Sequence, residues 1–452
     1  MHDPPAANLA NYVKNDTSVL QSSEHLNLAQ RGASEGLILL QNNGSVLPLD
    51  ASQFGPSTGK KLAVVGFSAL DGDILTGNYA IPPRDPPGIP SIAQAFESAL
   101  GSSYVLAAAG CDDVSCNSTA KFPDAIKAVQ DADAVIIGLG LTYESTVIPN
   151  DPRVEREGHD RTDLSLYPGQ VSLLQQVRAN AKPGAPVIVV LVHGGPLLLQ
   201  PAMAAADAIL DSHYPGIRGA PAIVDTVFGV TAPAGRVSAT IYAANDAVTT
   251  PQTSDLSYNF YEAGSKGATY RYVKNAGPGE GAVLFPFGFG LSYASFQYSG
   301  LVVHTSSKAA ASASASASGV QPCDDVAIEV TVTNTGNVDS DEVVQLYLTA
   351  YGSDSVPRPQ VRLADFRRVR VPAGGSQQVW LFVGAKDRYQ VEDGATSIFK
   401  PTIMAHPGTV KLYVGGGQPG WYTGGVSGSF DVAGDATAMS QCSPYYPKPP
   451  SA

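Results

Sequence analysis

Between Lys60 and about Tyr242 the chain alternates unbroken apolar runs with amphipathic stretches. LAVVGF (62–67), AVIIGLGL (134–141) and VIVVLVHGG (187–195) are apolar runs of strand length, and AILDSHYP (208–215) is a weaker fourth. Runs without polar alternation suit strands covered on both faces, as in a parallel sheet. Between and after them come PSIAQAFESAL (90–100), PDAIKAVQDAD (123–133), PGQVSLLQQVRANA (168–181) and APAIVDTVFG (220–229), with apolar residues at helical spacing. Three of these open on Pro, which is pre-set for a first helical position. The alternation predicts β-α-β units and an α/β fold, a three-layer sandwich around a parallel sheet over residues 31–304, entered through a connecting segment, 1–30.

The texture then changes twice. A Gly-, Pro- and aromatic-rich stretch (250–298) leads into the Ser/Ala tract SSKAAASASASASG (306–319), which has no apolar face and reads as a flexible linker over 305–322. From Asp324 to about Ala433, VAIEVTVTNTG, EVVQLYLTAYG, QVWLFVG and TVKLYVGG alternate with period two between Gly and Asn turns. That pattern predicts a small antiparallel β-sandwich over 323–442, followed by a tail, 443–452.

Composition narrows the possibilities. The length of 452 residues allows two or three domains. Only 15% of residues are charged, against about 25% in ordinary proteins, while Gly and Pro number 46 and 34. This suits buried sheets joined by long loops. With 28 basic against 40 acidic residues the net charge is −12, and no Lys/Arg cluster is dense enough to track phosphates. Nucleic acid is therefore excluded as a partner. No apolar run reaches about 18 residues, so no membrane-spanning helix is expected.

The four cysteines, Cys111, Cys116, Cys323 and Cys442, include no C-x-x-C pair and no partner histidines at zinc-finger spacing. No metal site and no cofactor are expected on that basis. The cysteines read as two local disulfides, Cys111 with Cys116 and Cys323 with Cys442, with four buried thiols as the alternative. Sequons at Asn15, Asn43 and Asn117 agree with an extracellular, glycosylated protein. The segment MHDPPAANLANYVKND has neither the basic nor the apolar region of a signal peptide, so export information would have to lie upstream.

In parallel α/β sheets ligands bind at the carboxyl ends of the strands. The loop after strand 134–141 is long and holds Glu144, Asp151, Glu155, Glu157, Asp160 and Asp163. The loop after LAVVGF, with Asp71, Asp73, Asn78 and Tyr79, falls on the same edge. Carboxylates for hydroxyl groups and tyrosines for stacking suit a sugar site, and a carboxylic acid there could protonate a leaving oxygen. The competing reading is a solvated surface loop. Dinucleotide, P-loop, zincin and nucleophile-elbow motifs are all missing. His193 reads as a buried structural histidine. Arg161 reads either as a staple between neighbouring carboxylates or as a substrate contact.

Taken in order, RGASEGLILLQNNGSVLPLD, TGNYAIPP, GCDDVSCNS, VEREGHDRTDLSLYPGQ, HGGP, HYPGIRGAPAIVDTVFGVTAPAGR and FPFGFGLSY resemble the C-terminal part of glycoside hydrolase family 3, its fungal and plant β-xylosidase branch above all. The resemblance runs over about 28–440 and implies a fibronectin type III-like domain for the β-sandwich. It implies a retaining exo-hydrolysis of terminal β-xylosyl residues in xylan breakdown, with xylo-oligosaccharides or other β-linked glycosides as substrates. By motif, Glu157 in E-G-x-D-R is the first choice for acid/base and Glu155 the second. Asp160 and Arg161 match the D-R that shapes the loop, and Asn78 and Tyr79 match its Gly-Asn-Tyr. The family's aspartate nucleophile belongs to an N-terminal barrel, and no Ser-Asp-Trp or Ser-Asp-Tyr segment occurs here. The expectation is therefore low activity without a separate or missing barrel. The alternatives are a non-catalytic carbohydrate-binding remnant and a β-glucosidase.

Overall fold

The computed structural model describes residues 22–79, 88–142, 151–158, 161–245, 267, 269–273, 277, 281, 283–305, 319–354, 358–392 and 402–442. Asn15, Glu144, Asp160, most of the Ser/Ala tract and the 443–452 tail lie outside them.

The α/β domain is built on β1 (Ile38–Asn42), β2 (Leu62–Val65), β3 (Val105–Ala108), β4 (Ala134–Gly140), β5 (Val187–Val192) and β6 (Ala208–Asp211), in the spatial order β1-β6-β5-β4-β2-β3. Every residue of β2, β4, β5 and β6 is buried, which is why their sequences carry no polar alternation. The two remaining strands are less legible. β3 is a half-exposed edge strand of four residues, VLAA, too short and too mixed to stand out. β1 runs antiparallel to β6, making the sheet mixed where the sequence predicts an all-parallel one.

The helices longer than one turn among the described residues are α1 (Ser23–Gly36), α2 (Ile92–Leu100), α3 (Phe122–Asp131), α4 (Pro168–Asn180), α5 (Gln200–Ala205) and α6 (Gly219–Val227). α1 and α2 pack on α6, while α3 and α5 pack on α4, giving one helical layer on each face of the sheet. Local chemistry sets their ends. The Ser91 hydroxyl accepts the Gln94 amide while the Gln94 side chain accepts the Ser91 N–H, a reciprocal cap that opens α2. At the end of β4, the buried Gln170 side chain accepts from Gly140 N–H at 3.1 Å and donates to Gly140 C=O at 2.9 Å. It thereby replaces a neighbouring strand at the point where the sheet edge opens.

Among the described residues the β-sandwich has two main sheets, beside a small three-stranded one of Tyr389–Glu392, Thr402–Ala405 and Thr437–Ala438. β7 (Phe296–His304), β8 (Val326–Asn334) and β11 (Ser376–Val383) lie in the order β11-β8-β7. β9 (Ser340–Ala350), β10 (Arg362–Val371), β12 (Gly408–Gly415) and β13 (Val426–Val432) lie in the order β10-β9-β12-β13. Strict in-out alternation along β8 matches its period-two sequence. β7 pairs antiparallel with β8, although the sequence reading places 296–304 in the α/β domain. Residues 305–322 therefore join two neighbouring strands of one sheet, whereas the sequence suggests a linker between domains. The signal was hidden because Gly300 and several exposed residues interrupt the alternation in β7.

Two disulfides are present, Cys111–Cys116 and Cys323–Cys442, the second closing a separation of 119 residues. The two domains meet across a polar seam. Arg236 donates to Glu342 at 2.7 Å and to Gly416 C=O at 3.1 Å, and the Tyr298 hydroxyl donates to the same carboxylate at 2.7 Å. Gln345 donates to Gly288 C=O and Gly416 C=O, each at 3.0 Å. The P-A-G-R and F-P-F-G-F-G-L-S-Y segments thus cement the domains together.

Candidate active site

The carboxyl ends of β2, β4, β5 and β6 converge on one edge, and each contributes a loop. After β2 the chain passes so close to β4 that a Cβ on Gly66 would lie 2.3 Å from Gly138 O, at a backbone φ of 93°. Only glycine fits there. The loop that follows carries Asp71, Asp73, Asn78 and Tyr79 and is stitched to the β6 loop by Gly216 N–H donating to Leu75 C=O at 2.8 Å. Asn78 and Tyr79 are exposed, and 75% of the Tyr79 surface is open. A cleft of about 500 Å³ beside this loop is lined by Asp71, Asp73, Asp112 and Lys121. A larger polar cleft, about 1030 Å³, lies instead at the domain seam between α1 and the sandwich, away from the strand ends.

The carboxylate-rich loop after β4 returns to the sheet at Glu155, whose N–H donates to Thr142 C=O at 3.1 Å. The Glu155 carboxylate then turns inward. Its Oε1 accepts from Gly194 N–H and from the Tyr214 hydroxyl, the latter at 2.6 Å. Its Oε2 faces Arg161 Nε at 3.7 Å, and both side chains are about nine-tenths buried, 11% and 9% exposed. Arg161 also donates to Pro196 C=O at 2.8 Å. Burial pushes the Arg161 guanidinium below its usual range, and the charge of Glu155 acts against that. Gly194 is required by this packing, since a Cβ would lie 2.9 Å from the Tyr214 ring and 3.2 Å from Glu155 Oε1.

Glu157, two residues on, is placed differently. It is exposed, and one of its carboxylate oxygens accepts from the Tyr79 hydroxyl. The two candidate carboxylates therefore divide: Glu155 is held inside the edge, and Glu157 stands on its open face with Tyr79. The other described residues of the loop that make side-chain contacts are pinned locally. Arg153 makes a two-pronged contact to Asp151 at 2.9 Å and stacks over the Tyr167 ring at 4.9 Å, and Asn245 donates to Asp163 at 2.9 Å.

The structure thus brings Glu155, Glu157, Arg161 and Tyr79 to one edge, with Asn78 beside them. Asp160 lies outside the described residues. Asn43 and Asn117 are exposed, as sequons must be to accept a glycan. The sequence reading missed Gly194, Tyr214, Asp211 and His213. HGGP and SHYPG at the ends of β5 and β6 marked the place, but nothing along the chain says that they face Glu155.

The comparisons with known proteins agree with this fold. The family model described as the glycosyl hydrolase family 3 C-terminal domain matches residues 37–293, and a fibronectin type III-like domain matches 342–418. A β-xylosidase of Formosa agariphila is 30% identical over 89% of this chain and 50% of its own length. A probable exo-1,4-β-xylosidase of Aspergillus oryzae is 32% identical over 86% of this chain and 44% of its own. An exo-α-(1→6)-L-arabinopyranosidase of Bifidobacterium longum is 31% identical over 78% and 43%. Among solved structures, a family 3 β-glucosidase of Bifidobacterium adolescentis superposes with a TM-score of 0.71 at 25% identity, covering 94% of this chain and 55% of that one. The chain spans about half the length of the curated relatives it matches.

Fold and edge together define a class: an open α/β sheet with an acid-rich loop at its carboxyl ends, cemented to a fibronectin-type sandwich, as found in glycosidases. Within that class the chain belongs to glycosyl hydrolase family 3.

Proposed function

We propose that this chain supplies the acid/base half of a retaining exo-β-xylosidase, with Glu157 as the acid/base. The observation that carries the reading is the split between the two carboxylates. Both oxygens of Glu155 already face donors within the edge, whereas Glu157 is open to a ligand and sits beside an exposed tyrosine ring. In the first step Glu157 donates its proton to the glycosidic oxygen as an aspartate attacks the anomeric carbon and the leaving sugar departs. In the second, the Glu157 carboxylate takes a proton from water, which attacks the glycosyl ester and frees the aspartate. The aspartate would come from the part of the relatives' length that this chain does not span, placed about 5–5.5 Å from the acid/base. Glu155, Arg161 and Tyr214 position the loop. No cofactor is called for.

The names of the curated relatives support xylose as the sugar, while the β-glucosidase and arabinopyranosidase relatives make ring selection the point to test. An extracellular setting is supported by two disulfides, which persist under oxidising conditions. Among the described residues no helix is long and apolar enough to cross a membrane.

The test is hydrolysis of nitrophenyl β-xyloside, β-glucoside and α-arabinopyranoside by the chain joined to a family 3 barrel. Glu157→Gln should lower kcat by about 10²–10⁴-fold, and Glu155→Gln by less. The reverse ranking would move the acid/base to Glu155. Calorimetric binding of xylo-oligosaccharides without turnover in the joined protein would instead support a carbohydrate-binding module.

A further inference from the structure

Directly behind the Glu155 anchor lies a cluster that the glycosidase reading does not use: His193 at the end of β5, with Asp211 and His213 at the end of β6. One ligand atom from each lies within 4.8 Å of the others. His193 Nε2 is 3.1 Å from Asp211 Oδ1, and His213 Nδ1 is 3.7 Å from the same oxygen. The two separations from Asp211 Oδ1 bracket the edge of a tetrahedron with metal–ligand bonds of 2.0–2.1 Å, about 3.3 Å, while the wider spread of up to 4.8 Å would have to close on an ion.

Three details go beyond what a buried ion pair alone requires. First, the other ring nitrogen of His193, Nδ1, sits 2.6 Å from Gly195 C=O, an arrangement that puts the proton on Nδ1 and leaves a lone pair on Nε2. A backbone carbonyl in that role is the usual partner of a metal-binding imidazole. Second, His193 Nε2 and Asp211 Oδ2 are both buried with no hydrogen-bond partner, on side chains 2% and 1% exposed. The 3.1 Å approach of His193 Nε2 to Asp211 Oδ1 is an ion-pair contact when the ring is protonated, but it leaves Asp211 Oδ2 buried with no partner, which is costly. Third, Asp211 Oδ1 accepts His213 N–H at 3.0 Å, which holds His213 at a left-handed φ of 49° with its ring turned to the cluster. The His213 side chain is 38% exposed, so the cluster opens toward solvent on that side.

We infer that His193, Asp211 and His213 form a binding site for one divalent cation of the zinc class, with a fourth position left to water or a ligand oxygen. Two imidazoles and one carboxylate suit a borderline cation better than Ca²⁺ or Mg²⁺, which take oxygen ligands. The site also has a mechanical link to the edge. Gly194, whose N–H holds Glu155, directly follows His193, and Tyr214, whose hydroxyl holds Glu155, directly follows His213. A cation would fix both anchors at once. The inference stands on this geometry and does not depend on the glycosidase reading.

The experiment is calorimetric titration of the chelator-treated full chain with ZnCl₂ at neutral pH, with CoCl₂ as an absorbance probe. One equivalent of Zn²⁺ should bind with release of heat, and Co²⁺ should give the intense visible bands of a four-coordinate site. His213→Gly, which suits the left-handed backbone, should weaken binding by about 100-fold, while His25→Ala on exposed α1 should leave it unchanged. Asp211→Asn preserves side-chain volume and provides the same reading should the glycine variant lose its circular dichroism. Absence of binding by the wild-type chain, or wild-type affinity retained in both the His213 and Asp211 variants, would overturn the site.

Discussion

Arg161–Glu155 at the sheet edge and Arg236–Glu342 at the domain seam are both ion pairs withdrawn from solvent, yet they are built differently. At the seam the ions meet at 2.7 Å, Glu342 is 1% exposed, and Tyr298 and Gly416 occupy further hydrogen-bonding positions. At the edge the ions stand 3.7 Å apart, Glu155 is shared with a hydroxyl and a backbone amide, and Arg161 Nη1 is buried without a partner. A saturated pair resists change because every alternative costs a hydrogen bond. A slack pair can be rearranged when a ligand arrives. The difference separates a joint from a working surface.

The largest effect should come from breaking the joint. Glu342→Ala leaves the Arg236 charge buried and should cost about 3–5 kcal/mol of unfolding free energy in urea titration. Glu155→Gln keeps the shape and most donors satisfied, and should cost about 1–2 kcal/mol in the same measurement. Equal losses would erase the distinction between the two pairs. Next in size are the disulfides. Cys323→Ser opens the connection between residues 119 apart and should cost about 2–4 kcal/mol, against a smaller loss for Cys111→Ser, whose partner is five residues away. Thermal unfolding of the two variants, each under non-reducing conditions, ranks them.

The smallest effect is a divergence with pH. At Asp151 burial pushes upward, but the hydrogen bonds and charge of Arg153 prevail and hold the carboxyl below its usual range. Its contribution to stability is therefore present above the ordinary carboxylate range and is lost as pH falls through the depressed value. At Glu342 burial raises the carboxyl above its usual range despite Arg236 and Tyr298. Its contribution is present at low pH and is lost as pH rises through the raised value. Acidification should thus loosen the amide of Arg153 before that of Gly288 at the seam. Amide exchange followed from neutral pH down to about 3 checks this, and simultaneous loosening of both would contradict it.

How much of this could be read from the chain follows from the range of the interactions. β2, β4 and β5 were legible because complete burial leaves an unmistakable apolar run, and β6 more faintly so because its run is only four residues long. β1 and β3 were not, because edge strands are short and are defined by what they pair with. The acid-rich loop stood out by length and charge, and both Glu155 and Glu157 were singled out. The split between them was invisible, since it depends on Gly194 and Tyr214, which lie 39 and 59 residues further along. The same holds for His193, which looked like an ordinary buried histidine until Asp211 and His213 were placed beside it. Cysteine spacing has no bearing on the proposed cation site, which would be assembled from two strand ends.

The antiparallel edge strand has a consequence for biosynthesis. β1 is made before the other strands of its sheet, but its partner β6 is the last of them to be made, and Gln41 must wait 165 residues for the carbonyl of Ala206. Until then a strand of five residues, four of them buried in the finished protein, is exposed to the cell with both of its hydrogen-bonding edges bare. Within this sheet the first strand synthesised is therefore the last to be placed, and its docking signals that the sheet behind it is complete.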